Sequence, residues 1–201
     1  MLDAKNLPGL YTRCMHTAAF LAASLDGFIA REDGALDWLP QPEAEGEDYG
    51  YTEFFARIDA LVMGRRTFEV VSGFTPWPYG DKPVVVLSRT LTPADLPVHL
   101  PLRLHAGPLL ELLRQLEAEG VRRVYADGGQ VVQEFIRAGR LNELTLTTVP
   151  VLLGRGRPLF GAVGEDVPLE LLESRSFAGG LVQSRYAIAG RRVPDGEKGQ
   201  S

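Results

Sequence analysis

Residues 58–69 read Ile-Asp-Ala-Leu-Val-Met-Gly-Arg-Arg-Thr-Phe-Glu. Residues 60–63 are a short apolar run of strand type, Gly64 permits a tight turn, and Arg65, Arg66 and Thr67 open a helix. A strand that passes through glycine straight into a helix gathers free backbone N–H groups and the positive end of the helix dipole at one spot, and arginine adds charge there. Such a junction suits a phosphate, although many junctions of this kind in α/β proteins hold none.

Working outward, the same pattern recurs. Residues 83–87 (Pro-Val-Val-Val-Leu) have the composition of a buried parallel strand, with Ser88 and Arg89 at its C-terminal end, where ligands collect in open α/β sheets. Ser88 and Arg89 read equally as a second phosphate contact or as a cap and a solvated arginine. Residues 121–125 form a strand leading through Asp127, Gly128, Gly129 and Gln130 into a helix over 131–138, and the paired glycines allow a ligand to lie against the peptide planes. Residues 16–24 form a small-residue strand in which Ala22 and Ala23 offer either a flat wall for a planar ligand or close helix packing, followed by a turn at Asp26-Gly27 and a brief extended segment at Ile29-Ala30. Helices are expected over 49–58, 67–72 and 108–119, the last with leucines on one face. Asp48 stands at the start of the first, either as an N-cap or as a carboxylate facing a substrate cavity. The Gly-Arg loop with Arg155 and Arg157 reads as solvated or as a phosphate contact, and residues 169–177 and 181–189 flank Gly179-Gly180 as a hairpin.

Composition narrows the classes. The 201 residues are 45% hydrophobic with a net charge of −5, which supports one core and leaves no basic footprint for nucleic acid or an anionic membrane. A lone cysteine, Cys14, excludes an internal disulfide and any multi-cysteine zinc site. No metal is expected. The expected location is the cytoplasm, because the first ten residues carry Asp3 and Pro8 rather than a signal core. The expected layout is an N-terminal extension over 1–14, one domain over 15–190 and a disordered tail over 191–201.

The motifs Ser-Leu-Asp-Gly-Phe-Ile-Ala (24–30), Met-Gly-Arg-Arg-Thr-Phe-Glu (63–69), Val-Val-Val-Leu-Ser-Arg (84–89), Asp-Gly-Gly (127–129) and the stretch from Asn142 through Gly154-Arg155-Gly156-Arg157 to Phe160 come in one order. In that order the chain resembles the dihydrofolate reductase-like superfamily, most of all the reductase domain of bacterial riboflavin biosynthesis and its stand-alone relatives. The resemblance implies an α/β, three-layer dihydrofolate reductase-like fold: a mostly parallel eight-stranded sheet, an antiparallel C-terminal hairpin and about four helices. It further implies an oxidoreductase that uses NADPH. Gly64, Arg65 and Thr67 would lie on the cofactor's phosphates; Leu87, Ser88 and Arg89 near its 2′-phosphate; Asp127, Gly128, Gly129, Gln130 and Val131 along the pyrophosphate and nicotinamide; and Ala22, Ala23, Ile29 and Ala30 beside the nicotinamide.

For the substrate half, the resemblance implies an acidic residue on the first helix, with Asp48 the first candidate and Asp26 the second. Residues 71–77 (Val-Ser-Gly-Phe-Thr-Pro-Trp) replace the Asp-Asp-Pro or Asp-Asn-Pro run of the riboflavin-pathway reductases, which counts against their substrate. The expected reaction is hydride transfer to a small planar heterocycle at a C=N or C=O bond. The alternatives are reduction of 5-amino-6-(5-phosphoribosylamino)uracil or dihydrofolate, and a catalytically silent NADP-binding module. A small-molecule substrate and a homodimer are the expected partners.

Overall fold

In the computed structural model, residues 15–40 and 46–188 are described; the expected extension over 1–14 and tail over 191–201 lie outside them. Strands β1 (His16–Ser24), β3 (Ala60–Gly64), β4 (Val84–Leu87), β5 (Leu102–His105), β6 (Arg123–Asp127), β7 (Glu143–Val149), β9 (Leu169–Ser176) and β10 (Val182–Ile188) build one sheet in the order β5-β4-β3-β6-β1-β7-β10-β9. The first six in that order are mutually parallel, and β10 and β9 close the sheet antiparallel, as expected. A small ribbon of β2 (Phe28–Ala30) and β8 (Arg157–Pro158) stands apart.

Alternation along the strands explains their continuous apolar runs. Val85 faces one core with Ala60, Val62, Val124 and Ala126, whereas Val84 and Val86 face the other with Leu61, Met63 and Tyr125. Helices cover both faces, giving three layers. On the first face lie α3 (Leu109–Ala118), whose Leu109, Leu112, Leu113 and Leu116 recur at helical spacing, and α4 (Gly129–Arg137) with Val132 and Phe135. On the second lie α1 (Tyr51–Ala56), through Phe54, and α2 (Arg65–Val71), through Phe68 and Val71.

Several element ends differ from the sequence expectation. β6 begins at Arg123 because Val121 still belongs to the end of α3: its N–H reaches Leu116 O at 3.0 Å and that of Gly120 reaches Glu117 O at 3.1 Å, with Gly120 at φ 90. Those two bonds form a glycine-terminated helix end. Asp59 Oδ2 then accepts the N–H groups of Arg122 and Arg123, each at 2.8 Å, and aims the strand. Both α2 and α4 start two residues early, at Arg65 and Gly129, directly at the strand ends. By contrast α1 starts late, because Tyr49 and Gly50 are left-handed at φ 54 and φ 81.

Phe135 is fully buried at the centre of the first core. Phe135→Ala is expected to destabilise the fold by about 3–5 kcal/mol, the range for emptying a large core site, read as a lower urea midpoint at unchanged m-value.

Candidate functional site

Parallel pairing brings the C-terminal ends of five neighbouring strands, Leu87, Gly64, Asp127, Ser24 and Val149, to one edge of the sheet. Two helices start there. Neither α2, entered through Gly64, nor α4, entered through Gly128, has a side-chain cap at its N-terminus. The N-cap residue at each start is glycine, which has no side chain to accept the first N–H groups.

The two junctions touch. A Cβ added at Gly128, which sits at φ 88, would collide with Thr67 Oγ1; one at Gly129 would lie 2.7 Å from Ile29 Cδ1; one at Gly64 would lie 3.5 Å from Val131 Cγ2. Gly64, Thr67, Gly128, Gly129, Val131 and Ile29 thus form one packed junction, in which the glycines let Thr67 and Ile29 close onto the backbone. Ala30 adjoins it through Gly156, whose added Cβ would strike the Ala30 carbonyl.

Other expected residues are less engaged. Arg65 is half exposed and paired with Glu69 at 3.4 Å. Ser88 Oγ accepts the N–H groups of Thr90 and Leu91 at 3.2 and 3.0 Å, so it shapes the turn after β4, while Arg89 and Gln130 are exposed and Leu87 packs against the first core. Ala22 and Ala23 face opposite sides of the sheet: Ala23 is 2% exposed in the first core, and Ala22 borders a cluster of Trp38, Leu39 and Tyr49. One flat wall therefore cannot use both methyl groups. Arg157 donates to the Glu32 carbonyl and packs on Gly34, and Arg155 meets Glu32 at 3.5 Å, so both engage the loop after β2.

The two candidate acids are backbone anchors. Asp48 accepts the N–H of Gly50 at 2.8 Å and of Thr52 at 3.0 Å, which organises the left-handed entry into α1. The Thr52 hydroxyl and these N–H groups hold its carboxyl below the usual range. Asp26 accepts the Ser24 hydroxyl at 2.5 Å and the N–H groups of Leu153 and Gly154 at 3.1 and 2.7 Å. Ser24 above all holds it low as well. An exposed carboxyl stabilised as its anion is a poor proton donor.

Asp127 is different. It is 8% exposed, and Tyr79 donates to its Oδ2 at 2.8 Å. Burial pushes its carboxyl up, against the opposing hydrogen bonds of Tyr79, Tyr125 and the Gly128 N–H. The carboxyl of this expected cofactor residue accepts from Tyr79 on the α1 and α2 face. Tyr125 lies two residues before Asp127 on β6, so strand alternation alone puts both on one face; Tyr79, in a loop 48 positions away, carries no such signal.

A model of the RibD C-terminal domain matches residues 16–183. The chain belongs to this family. Within it, the uncharacterised protein YwjB of Bacillus subtilis strain 168 is 35% identical over 174 residues, covering 86% of this chain and 98% of YwjB. A crystal structure described as a putative riboflavin biosynthesis protein from Shewanella sp. PV-4 is 36% identical with a TM-score of 0.79, covering 87% of this chain and 99% of that one. Enterococcus faecalis dihydrofolate reductase, in a structure described as complexed with NADP(H) and RAB-propyl, shares the fold at 20% identity and a TM-score of 0.58, over 86% of this chain and 96% of that one. RibD C-terminal domain membership supports a reductase-type function. Among the described residues no group of three or more His, Cys, Asp or Glu is placed to hold a metal ion, and no helix is long and apolar enough to cross a membrane. A depression of about 140 Å³ lies at the opposite sheet edge, between Thr17, Arg114, Arg140 and Asn142, away from the glycine junctions.

Asp26→Ala is expected to speed amide exchange at Leu153 and Gly154 roughly tenfold in NMR exchange measurements. In the unsubstituted protein this protection is complete above the ordinary aspartate pKa of 3.8 and is lost as pH falls through the lowered value of Asp26.

Proposed function

We propose that this protein is an NADPH-dependent reductase that delivers hydride to a small, planar, unsaturated heterocycle at a C=N or C=O bond. The observation that carries the proposal is the meeting of the two glycine junctions, with Thr67 seated against Gly128 where a Cβ would not fit, below two helix starts without side-chain caps. A dinucleotide pyrophosphate suits those two helix starts, because it brings charge to N–H groups that no N-cap side chain accepts. When bound, NADPH supplies the hydride. The chain's own part is to fix the ring, through Ile29 and the Gly128-Gly129 peptides, and to keep water from the reacting atoms. Arg89, exposed at the end of β4, offers a planar set of donors to a 2′-phosphate.

The proposal extends to a homodimer. β9 is the outermost strand of the sheet, and Leu169, Leu171 and Leu172 on it are exposed, an edge that a second copy would cover. Light scattering on a sizing column is expected to give twice the chain mass at micromolar concentration; a monomer would remove this part.

Titration of Trp fluorescence with NADPH is expected to saturate, and Arg89→Ala to weaken NADPH about tenfold or more, ~1.4 kcal/mol, with little change for NADH. No binding of either nucleotide refutes the reading. Saturation without oxidation of NADPH by dihydrofolate, the aminouracil precursor or simple cyclic imines would leave a silent binding module instead.

A further inference from the structure

Hydride transfer to C=N or C=O needs a proton for the heteroatom, and neither exposed acid suits that task. The geometry points to Asp127 as the proton donor: its buried carboxyl, held by Tyr79 at the end of β6 beside Gly128, protonates the acceptor's heteroatom. This inference rests on the reductase reading above.

Hydrogen counting supports it. Tyr79 donates to Asp127 Oδ2 at 2.8 Å. Tyr125, two residues earlier on the same face of β6, spends its single hydroxyl hydrogen on the Phe20 carbonyl at 2.9 Å. A carboxyl this buried, with Tyr79 as its side-chain donor and no cation beside it among the described residues, is poorly compensated as an anion, which makes Asp127 a neutral acid with one proton to give. The groups acting on it from the surrounding elements are Tyr125 on β6, Tyr79 in the loop before β4 and the Gly128 N–H, with Tyr51 on α1 sensing its charge. All are neutral at pH 7. Burial favours the protonated form in such a place. The place also suits the reaction, since Asp127 directly precedes the glycine pair assigned to the nicotinamide. Nearby, Trp77 packs edge-on to Tyr79 at 5.2 Å, and its Nε1–H is buried without a partner among the described residues, a donor that an acceptor atom on a heterocycle would satisfy.

The balance is complete with NADPH as reductant. The acceptor carbon takes hydride, the π pair moves to nitrogen or oxygen, and that atom takes the Asp127 proton. NADPH leaves as NADP⁺, and water reprotonates the carboxylate.

Asp127→Asn preserves the Tyr79 hydrogen bond, its oxygen accepting, but has no acidic proton. Infrared spectra at pH 7 are expected to show a protonated-carboxyl C=O band that shifts in D₂O and is missing in D127N. With 2-methyl-1-pyrroline, a cyclic imine, or dihydrofolate as acceptor, D127N is expected to lower kcat about a hundredfold while its NADPH Kd stays within about threefold. Tyr79→Phe removes a bond that favours the anion, so the alkaline fall in kcat should move to higher pH. A missing infrared band, an unchanged kcat in D127N, or NADPH binding weakened roughly tenfold in D127N each overturns the assignment. A wild type that binds NADPH but reduces neither acceptor overturns it too, because the reaction it serves is then absent. Loss of NADPH binding in the wild type itself is a separate result and refutes the reductase reading.

Discussion

Parallel hydrogen bonding at the centre of the sheet is the constraint from which the rest follows. Strands β4, β3, β6, β1 and β7 run in one direction, so each must be joined to the next by a crossover, and the turns that leave their C-terminal ends share an edge. Gly64, Leu87 and Asp127 lie on adjacent strands there, although Asp127 is separated in sequence from the other two by the whole of β5 and α3. The period of two then assigns consecutive residues to different layers. Ala126 goes to the α3 and α4 side and Tyr125 to the α1 and α2 side. At the strand's end, Asp127 keeps to the Tyr125 side and Gly128 turns the chain into α4. A polar group and a helix start therefore sit side by side without competing for space.

What could be read from the chain was what local pattern determines. The continuous apolar triplet Val84-Val85-Val86 announced a strand buried on both faces, and the leucine spacing of α3 announced an amphipathic helix; both are present. The convergence of Thr67 on Gly128 was legible only through the order of motifs, because no local signal relates residues sixty positions apart. The surroundings of the two candidate acids were not legible in the chain, for a physical reason. Sequence places an aspartate near a helix or a turn, but its ionisation is set by the number of donors around it and by burial. Asp48 collects the N–H groups of Gly50 and Thr52, and Asp26 those of Leu153 and Gly154. Tyr79, which joins Asp127 from a proline-rich loop, had no periodicity to reveal it.

The contrast among the three aspartates shows how one residue type serves different ends. Where water and backbone amides surround the carboxyl, the anion is favoured and the side chain acts as a brace. Where it is buried among tyrosines, the neutral acid is favoured and the side chain stores a proton. Tyr79 supplies a hydrogen bond without supplying charge, so it holds Asp127 in place without forcing it to ionise.

The Asp26 brace also bears on how the molecule comes together. It links the turn after the first strand to backbone at Leu153 and Gly154, 127 and 128 residues further on. Closing a loop of that length is entropically slow, and it requires β7 to have docked beside β1. The ribbon that carries Ile29 against Gly129 depends on the same late arrival, since its second strand, Arg157–Pro158, follows β7 in the chain. The glycine junction is therefore finished only when the far end of the domain has folded back onto its beginning, and a chain released or cut short of that point would carry most of the core without a working edge.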